Sequence, residues 1–331
     1  MEVQIEKAVL HILDKNANMP VISKREIDLE DDAVYKFIVT SVKKLYDDMT
    51  TKKGEFKEDS PVLVQVKECE NNFMEATSKI AEELYKYILV QEDIPSGDML
   101  FAIVSIEDIR YLAMIKLNYK SGYTHLIEYN ASEVVNKIIM HRVIFSAESS
   151  SMNEGALVNL TDDKLKILEK VYLIDGEKSS YFAKEFLKCK TELSKKESIK
   201  IINEVAKEVS KKYFDEDFTK PLDVKKTIYE DITETGTVSV NHIAKKSFGN
   251  MPEVEKEYVE EVKKAGVKES ILFNEPAPEK KFGKHKIKTD SGVELSLPME
   301  MYSDKNSLEF INNPDGTVSI LIKNVGKIIN K

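Results

Sequence analysis

Lysines at helical spacing are the first residues in this sequence with a chemistry to offer. At about 100° per residue, Lys196, Lys200, Lys207 and Lys211 fall within roughly 60° of one another. Ile202, Val205, Ala206, Val209 and Tyr213 take the opposite side, so one face reads as core and the other as a row of ammonium groups. Ser194-Lys195-Lys196-Glu197 opens the segment as a capping box, a hydroxyl followed three residues on by a glutamate. A row of cations on a rigid helix suits a phosphate backbone, where each lysine displaces a counterion. The plain alternative is a solvated face with Glu204 and Glu208 within reach.

A second row lies further on. Lys284, Lys286 and Lys288 share one strand face because side chains alternate with period two, and Lys280 and Lys281 precede them. His285 and Ile287 point the other way. An anionic partner would relieve the repulsion along this row; an edge strand that uses lysine to block association is the alternative. Residues 238–248 read as the first helix of a helix-turn-helix. No clear recognition helix follows the break at Gly249-Asn250-Met251-Pro252, and the acidic Glu253, Glu255, Glu257, Glu260 and Glu261 would repel phosphate.

Signatures of catalysis are missing from the sequence. There is no glycine-rich phosphate loop, no Gly-x-Ser-x-Gly and no His-Glu-x-x-His. His11, His125, His141, His242 and His285 stand singly. Asp215-Glu216-Asp217 is a carboxylate cluster that a divalent cation could use, but a solvated helix terminus is the simpler account. Cys69 and Cys189 are far apart and outside any Cys-x-x-Cys pair, so they read as free thiols in a reducing compartment. The expectation is a protein without enzymatic activity, cofactor or metal.

The lysine rows need elements to hold them. Residues 3–13 alternate as a strand, with 20–27 as its partner. Asp31 and Asp32 open a helix whose buried stripe is Val34, Phe37, Ile38, Val42 and Leu45. Residues 49–60 read as a loop and 72–90 as a second helix. Two apolar runs, 99–106 and 111–117, are spaced as a hairpin. Continuous apolar strands are buried on both faces, which places this hairpin mid-sheet beneath the two helices. Residues 137–145 suggest another strand, and 156–160 with 165–174 a further hairpin ending at Asp175-Gly176. The period then turns helical, over 181–189, 194–214, 222–232, 238–248 and 253–265. Residues 273–281, with Pro276 and Pro278, form a linker to two hairpins turning at Thr289-Asp290-Ser291-Gly292 and Asn312-Asn313-Pro314-Asp315-Gly316. The fold class is therefore α+β, in three parts: an N-terminal α+β domain over 1–176, a helical region over 177–272, and a linker with a C-terminal β-hairpin unit over 273–331. So small a β unit cannot bury its own apolar surface, so it should pack on another domain or a second chain, most simply in a homodimer.

Composition bounds the function. The chain has 331 residues, 42% of them hydrophobic, enough for two or three domains with real cores. The formal net charge of −9 excludes a wholly basic nucleic-acid wrapper and throws any DNA binding onto a local basic face. No apolar run approaches the ~18 residues that span a bilayer. Glu2, Glu6 and Lys7 are unlike a signal peptide, so a cytoplasmic protein without membrane contact is expected.

The order of these motifs resembles the bacterial nucleoid-associated NdpA/YejK family along nearly the full chain. Ile5-Glu6-Lys7-Ala8-Val9-Leu10-His11-Ile12-Leu13 matches the family's usual opening of Ile, Ala, His and Leu. Tyr111-Leu112-Ala113-Met114-Ile115-Lys116-Leu117 looks like its central sheet, as does the stretch from Tyr172 to Phe186 with Asp175-Gly176 and Tyr181-Phe182. Asn313-Pro314-Asp315-Gly316-Thr317 resembles the turn of a low-identity Gram-positive branch. The resemblance implies a cytoplasmic protein at the nucleoid, in a family not known for enzymes. It brings no catalytic or DNA-contacting residues with it, so the lysine rows rest on spacing alone. The expected function is association with double-stranded DNA through phosphates, with little base readout. The rival is an adaptor brought to the nucleoid by a DNA-bound protein partner, which the acidic net charge favours.

Overall fold

The computed structural model describes every residue except 18, 130–132, 146–153, 215–218, 274–281, 305, 330 and 331, and leaves aside the side chains of Ser303 and Asn312. The chain divides into two units, Met1–Lys196 and Glu197–Lys331.

The first unit runs β1 (Val3–Leu13), α1 (Asp32–Asp47), β2 (Lys52–Phe56), α2 (Pro61–Glu68), α3 (Phe73–Val90), β3 (Gly97–Ile106), β4 (Ile109–Asn118), β5 (Lys120–Tyr129), β6 (Val134–Ile144), β7 (Glu154–Asn159), β8 (Lys164–Leu168), β9 (Tyr172–Ile174), β10 (Glu177–Ser179) and β11 (Cys189–Thr191). Seven of these strands form one antiparallel sheet in the order β1-β3-β4-β7-β8-β2-β11. The α+β class is thus observed. Period two divides β3 between two cores. Met99, Phe101 and Ile103 pack with Val66, Ile80, Leu84 and Ile88 of α2 and α3. Leu100, Ala102 and Val104 pack with Ile38, Val42 and Leu45 of α1. Each of the larger side chains among these contributes about 1.5–3 kcal/mol by burial, and the hairpin read as mid-sheet lies inside the sheet, as its second and third strands. Its turn is tighter than the four-residue spacing suggested: Glu107 and Asp108, both at positive φ, complete a two-residue connection.

Several sequence readings need correction. The partner of β1 is β3; residues 20–27 give it only an isolated bridge, Ile12 to Val21. The loop over 49–60 contains β2, whose polar residues mask a strand of which only Gly54 is buried. Gly54 allows a close approach there: a Cβ would lie 3.0 Å from the Lys190 carbonyl oxygen of β11, which would have to yield by a few tenths of an ångström. The run 165–174 breaks into β8 and β9, and Asp175-Gly176, both at positive φ, turn β9 into β10. Residues 181–189 form a π-helical turn, Phe182–Phe186, and then β11. Tyr181, Phe182, Phe186 and Cys189 belong to the first unit's core, so this segment is packed with the sheet.

The second unit holds nearly all of α4 (Lys195–Tyr213), then α5 (Thr219–Thr235), β12 (Thr237–Ser239), α6 (Val240–Phe248), α7 (Pro252–Lys264), β13 (Ser270–Leu272), β14 (Lys284–Lys288), β15 (Glu294–Pro298), β16 (Leu308–Asn312) and β17 (Val318–Ile322). β12 pairs with β13, β14 with β15 and β16 with β17, all antiparallel. The four helices and both terminal hairpins stand where periodicity and turn chemistry put them. The β14–β15 hairpin and the turn that follows it meet α5 within the unit. His285 contacts Lys225 of α5, and Tyr229 donates a 3.4 Å bond to Glu300.

Candidate nucleic-acid interface

α4 sorts its residues as its wheel requires. Ile202, Val205, Ala206 and Val209 are buried, and Lys196, Lys200, Lys207 and Lys211 are exposed on the other face. Tyr213 departs from the expected core: it lies at the exposed margin, where its hydroxyl meets Glu257 of α7. The helix begins directly after Ser194, and Lys195 is tied to Asp47 at 2.7 Å. Of the two glutamates within reach of the row, Glu204 does engage it, 3.5 Å from Lys200 across one helical turn.

β14 alternates as read. Lys284, Lys286 and Lys288 are exposed, while His285 and Ile287 are partly covered. Across the hairpin they face Pro298, Ser296 and Glu294 respectively. Only the last is acidic, and it stands 3.3 Å from Lys288. Lys280 and Lys281 lie outside the described residues, as do Asp215, Glu216 and Asp217.

α4 and β14 both contribute to one cavity, and of the two rows Lys284 lines it. Ile199 and Asn203 of α4, Lys225 and Ile228 of α5, and Lys284 and His285 of β14 line a space of about 180 Å³. Asn203 uses its amide nitrogen on the Ile199 carbonyl at 2.7 Å, and its buried Oδ1 has no hydrogen-bond partner among the described residues. Lys225 donates to His285 Nε2 at 2.9 Å. An ammonium can only donate, so Nε2 accepts and the proton sits on Nδ1, which bonds the Tyr302 hydroxyl at 3.0 Å. Burial, and then the Lys225 charge, push His285 down to about 4. Burial, and next the charge of Lys207, hold Lys225 below the usual lysine range. Lys207 of the helix row and Lys284 of the strand row thus flank the same half-buried ammonium. Sequence reasoning missed Lys225 and Asn203. Each sits on a helix whose period was legible, but nothing local to either marks the cavity.

α6 and α7 follow one another through Gly249–Met251, and α7 is the helix read over 253–265. It carries the acidic residues foreseen for it. Glu257 is held by Lys212 and Tyr213, and Glu261 by Lys264. The histidines remain dispersed. His11 is buried in the first unit, and His125 and His141 lie on β5 and β6. His242 bonds Asp231 at 2.6 Å. Among the described residues no three His, Cys, Asp or Glu side chains converge to hold a metal ion. Both cysteines are free and buried, and burial pushes each thiol up to about 12.

The first unit holds a polar cluster that the sequence did not announce. Lys116 of β4 stands opposite Glu154 of β7, both fully buried, 3.3 Å apart. Asn118 and the Tyr172 hydroxyl donate to the same Glu154 oxygen at 2.8 and 2.9 Å. Burial holds the Lys116 ammonium below the usual range, and Glu154 opposes that shift.

Together these features describe an α+β protein that displays cations on a helix and a strand. A sequence model of the family described as nucleoid-associated protein YejK matches residues 9–330, and the chain belongs to that family. No individual curated protein matches it. Among the described residues no helix is long and apolar enough to cross a membrane.

Proposed function

We propose that this nucleoid-associated protein binds double-stranded DNA directly, through phosphate contacts made by α4 and β14, with little dependence on base sequence. The observation that carries the reading is the cavity that Asn203, Lys225 and Lys284 line, because Lys284 of the strand row stands there beside Lys225, on which the charge of Lys207 in the helix row also acts. Rows of exposed ammonium groups on rigid elements match the regular charge of a duplex and release counterions on contact. They contain no feature that reads base edges. The strand row is the stronger footprint, since Lys284 and Lys286 face uncharged residues across the hairpin.

The test is a salt titration on random duplexes. Wild type should bind with an affinity that falls steeply as salt rises. Reversing Lys284, Lys286 and Lys288 to Glu should weaken binding for every sequence alike and flatten the slope by roughly 0.9 for each phosphate no longer neutralised. Reversing Lys196, Lys200, Lys207 and Lys211 should do so to a smaller degree. A second reading, an adaptor recruited by a DNA-bound protein, is favoured by the acidic surface of α7 and the net charge of −9. It requires no binding of purified protein to duplex at any salt. Binding with an unchanged slope in both reversed proteins would remove these lysines from the interface.

A further inference from the structure

An uncovered apolar surface lies on the β5–β6 hairpin of the first unit. These two strands pair only with each other, in a two-stranded sheet apart from the seven-stranded one. Phe145, just beyond β6, packs into the core beside α1 and anchors the base of the arm. In register, Tyr123 faces Met140, His125 faces Ile138, Ile127 faces Asn136 and Tyr129 faces Val134, so these eight residues share one face of the arm. Tyr123, Tyr129 and Ile138 are 77%, 78% and 83% exposed, and Ile127, Val134 and Met140 are exposed beside them. Over this span the face has no Asp, Glu, Lys or Arg. The opposite face is different: it carries the Glu128–Lys137 ion pair at 2.6 Å.

We propose that this face is where a second copy of the chain docks, arm against arm. An isolated two-stranded hairpin is at best marginally stable in water, so a long one with an apolar face needs a cover. Six side chains of roughly 200 Å² each, about two-thirds exposed, present on the order of 800 Å². That exceeds the largest patch of a typical monomer, about 300–600 Å². It equals the share one partner brings to a standard interface, about 800 Å². Charge selects the occupant. DNA would need cations, and this face has none. A second copy brings a formal charge of −9, so it is least opposed at an uncharged face. The arm itself is close to neutral, with Lys120, Lys137 and Arg142 against Glu128 and Glu133. Along β5 the face runs Tyr123-His125-Ile127-Tyr129, with an aromatic at each end, and a two-fold contact sets this one patch against its own copy.

Sedimentation of the full chain at tens of micromolar, as an order of magnitude, should show a dimer. Ile138→Glu and Tyr129→Glu should each weaken its dissociation constant by at least about tenfold, because each buries a charge in the contact. Their melting temperature measured at low, monomeric concentration should match wild type, because both side chains are solvent-exposed within one chain. Ile138→Cys should be joined into a covalent dimer by a short bis-maleimide, and Leu173→Cys, exposed on the β9–β10 hairpin, should not. The native thiols, both buried, stay silent. A wild-type monomer at these concentrations, or a dimer unmoved by Ile138→Glu, overturns the proposal. So does a monomer that binds phosphatidylcholine–phosphatidylglycerol vesicles and loses them with Ile138→Glu, which would make the arm a membrane element.

Discussion

Lys116 in the first unit and Lys286 in the second both stand on antiparallel strands, each opposite one residue of a neighbouring strand. Lys116 faces Glu154 and is fully buried; Lys286 faces Ser296 and is exposed. The first has exchanged water for one carboxylate, the Pro95 carbonyl at 3.1 Å and the Asn118 side chain. Its charge acts only within the fold. The second keeps its hydration, adds little to stability, and has its full charge available to a ligand. One residue type therefore serves cohesion in one unit and, under the proposed function, recognition in the other, and burial separates the two.

The sharpest way to break this contrast is Lys116→Met. It leaves Glu154 buried beside Asn118 and Tyr172 without its cation, which costs about 3–5 kcal/mol. Converting Glu154 to Met as well should recover most of that loss, since the uncompensated charge disappears. The chain has no tryptophan, so urea unfolding is best followed by circular dichroism. A loss below about 1 kcal/mol in Lys116→Met would show that the pair is solvated and the contrast false. Neither variant should alter the salt slope of DNA binding.

Acid should act on both units, through one imidazole in each. In the first, the Ser23 amide donates to His11 Nδ1 and leaves Nε2–H for the Thr77 hydroxyl, both at 3.2 Å. A second proton on Nδ1 would point at an N–H. Burial pushes His11 down to about 4 from 6.5, and His285 reaches the same value beside Lys225. A lowered imidazole binds fewer protons folded than unfolded, so its stability is intact above pH 6.5 and is lost as pH falls towards 4. At pH 5 the fully buried His11 accounts for up to about 2 kcal/mol. Thermal unfolding at pH 7.5 and 5 measures the combined loss. His285→Gln, which keeps an acceptor for Lys225 and a donor for Tyr302, should remove part of the acid sensitivity and leave the His11 part. An unchanged acid limb would show that His285 is already solvated.

What the sequence made legible follows from the range of the interactions. α1 and α3 to α7 announce themselves because their stripes are local, and β3–β4 and the C-terminal hairpins because their turns are. The β3 partner of β1 lies some ninety residues away and leaves no local mark; the nearer 20–27 looked equally suitable. β2 is polar because it lies next to the edge strand β11, so no apolar pattern reveals it. Lys116 falls within a run read as apolar, and its partner Glu154, 38 residues on, leaves no local mark of the buried ion pair. The candidate interface divides the same way. Its lysine rows obey the periods of helix and strand and were legible. The cavity that Asn203, Lys225 and Lys284 line depends on how three elements pack, which no period encodes.

The smallest expected effect is the one the comparison needs most. Lys286→Glu should change folding stability by no more than about 0.5 kcal/mol, because an exposed strand lysine facing Ser296 leaves neither a cavity nor an unpaired charge behind. The neighbouring Lys288 is paired with Glu294 on the surface, so even its removal should cost at most about 1 kcal/mol. The same Lys286→Glu protein should bind duplex more weakly than wild type at low salt. It should also converge on wild type as salt rises, since screening removes both the missing attraction and the added repulsion. Urea midpoints and a salt titration on one protein preparation give both numbers. If Lys286→Glu lowers the midpoint as Lys116→Met does, the strand row is part of the fold's cohesion, and the division between a cohesive and a recognising lysine fails. If the midpoint holds and binding weakens, recognition is carried by a charge that the fold does not need.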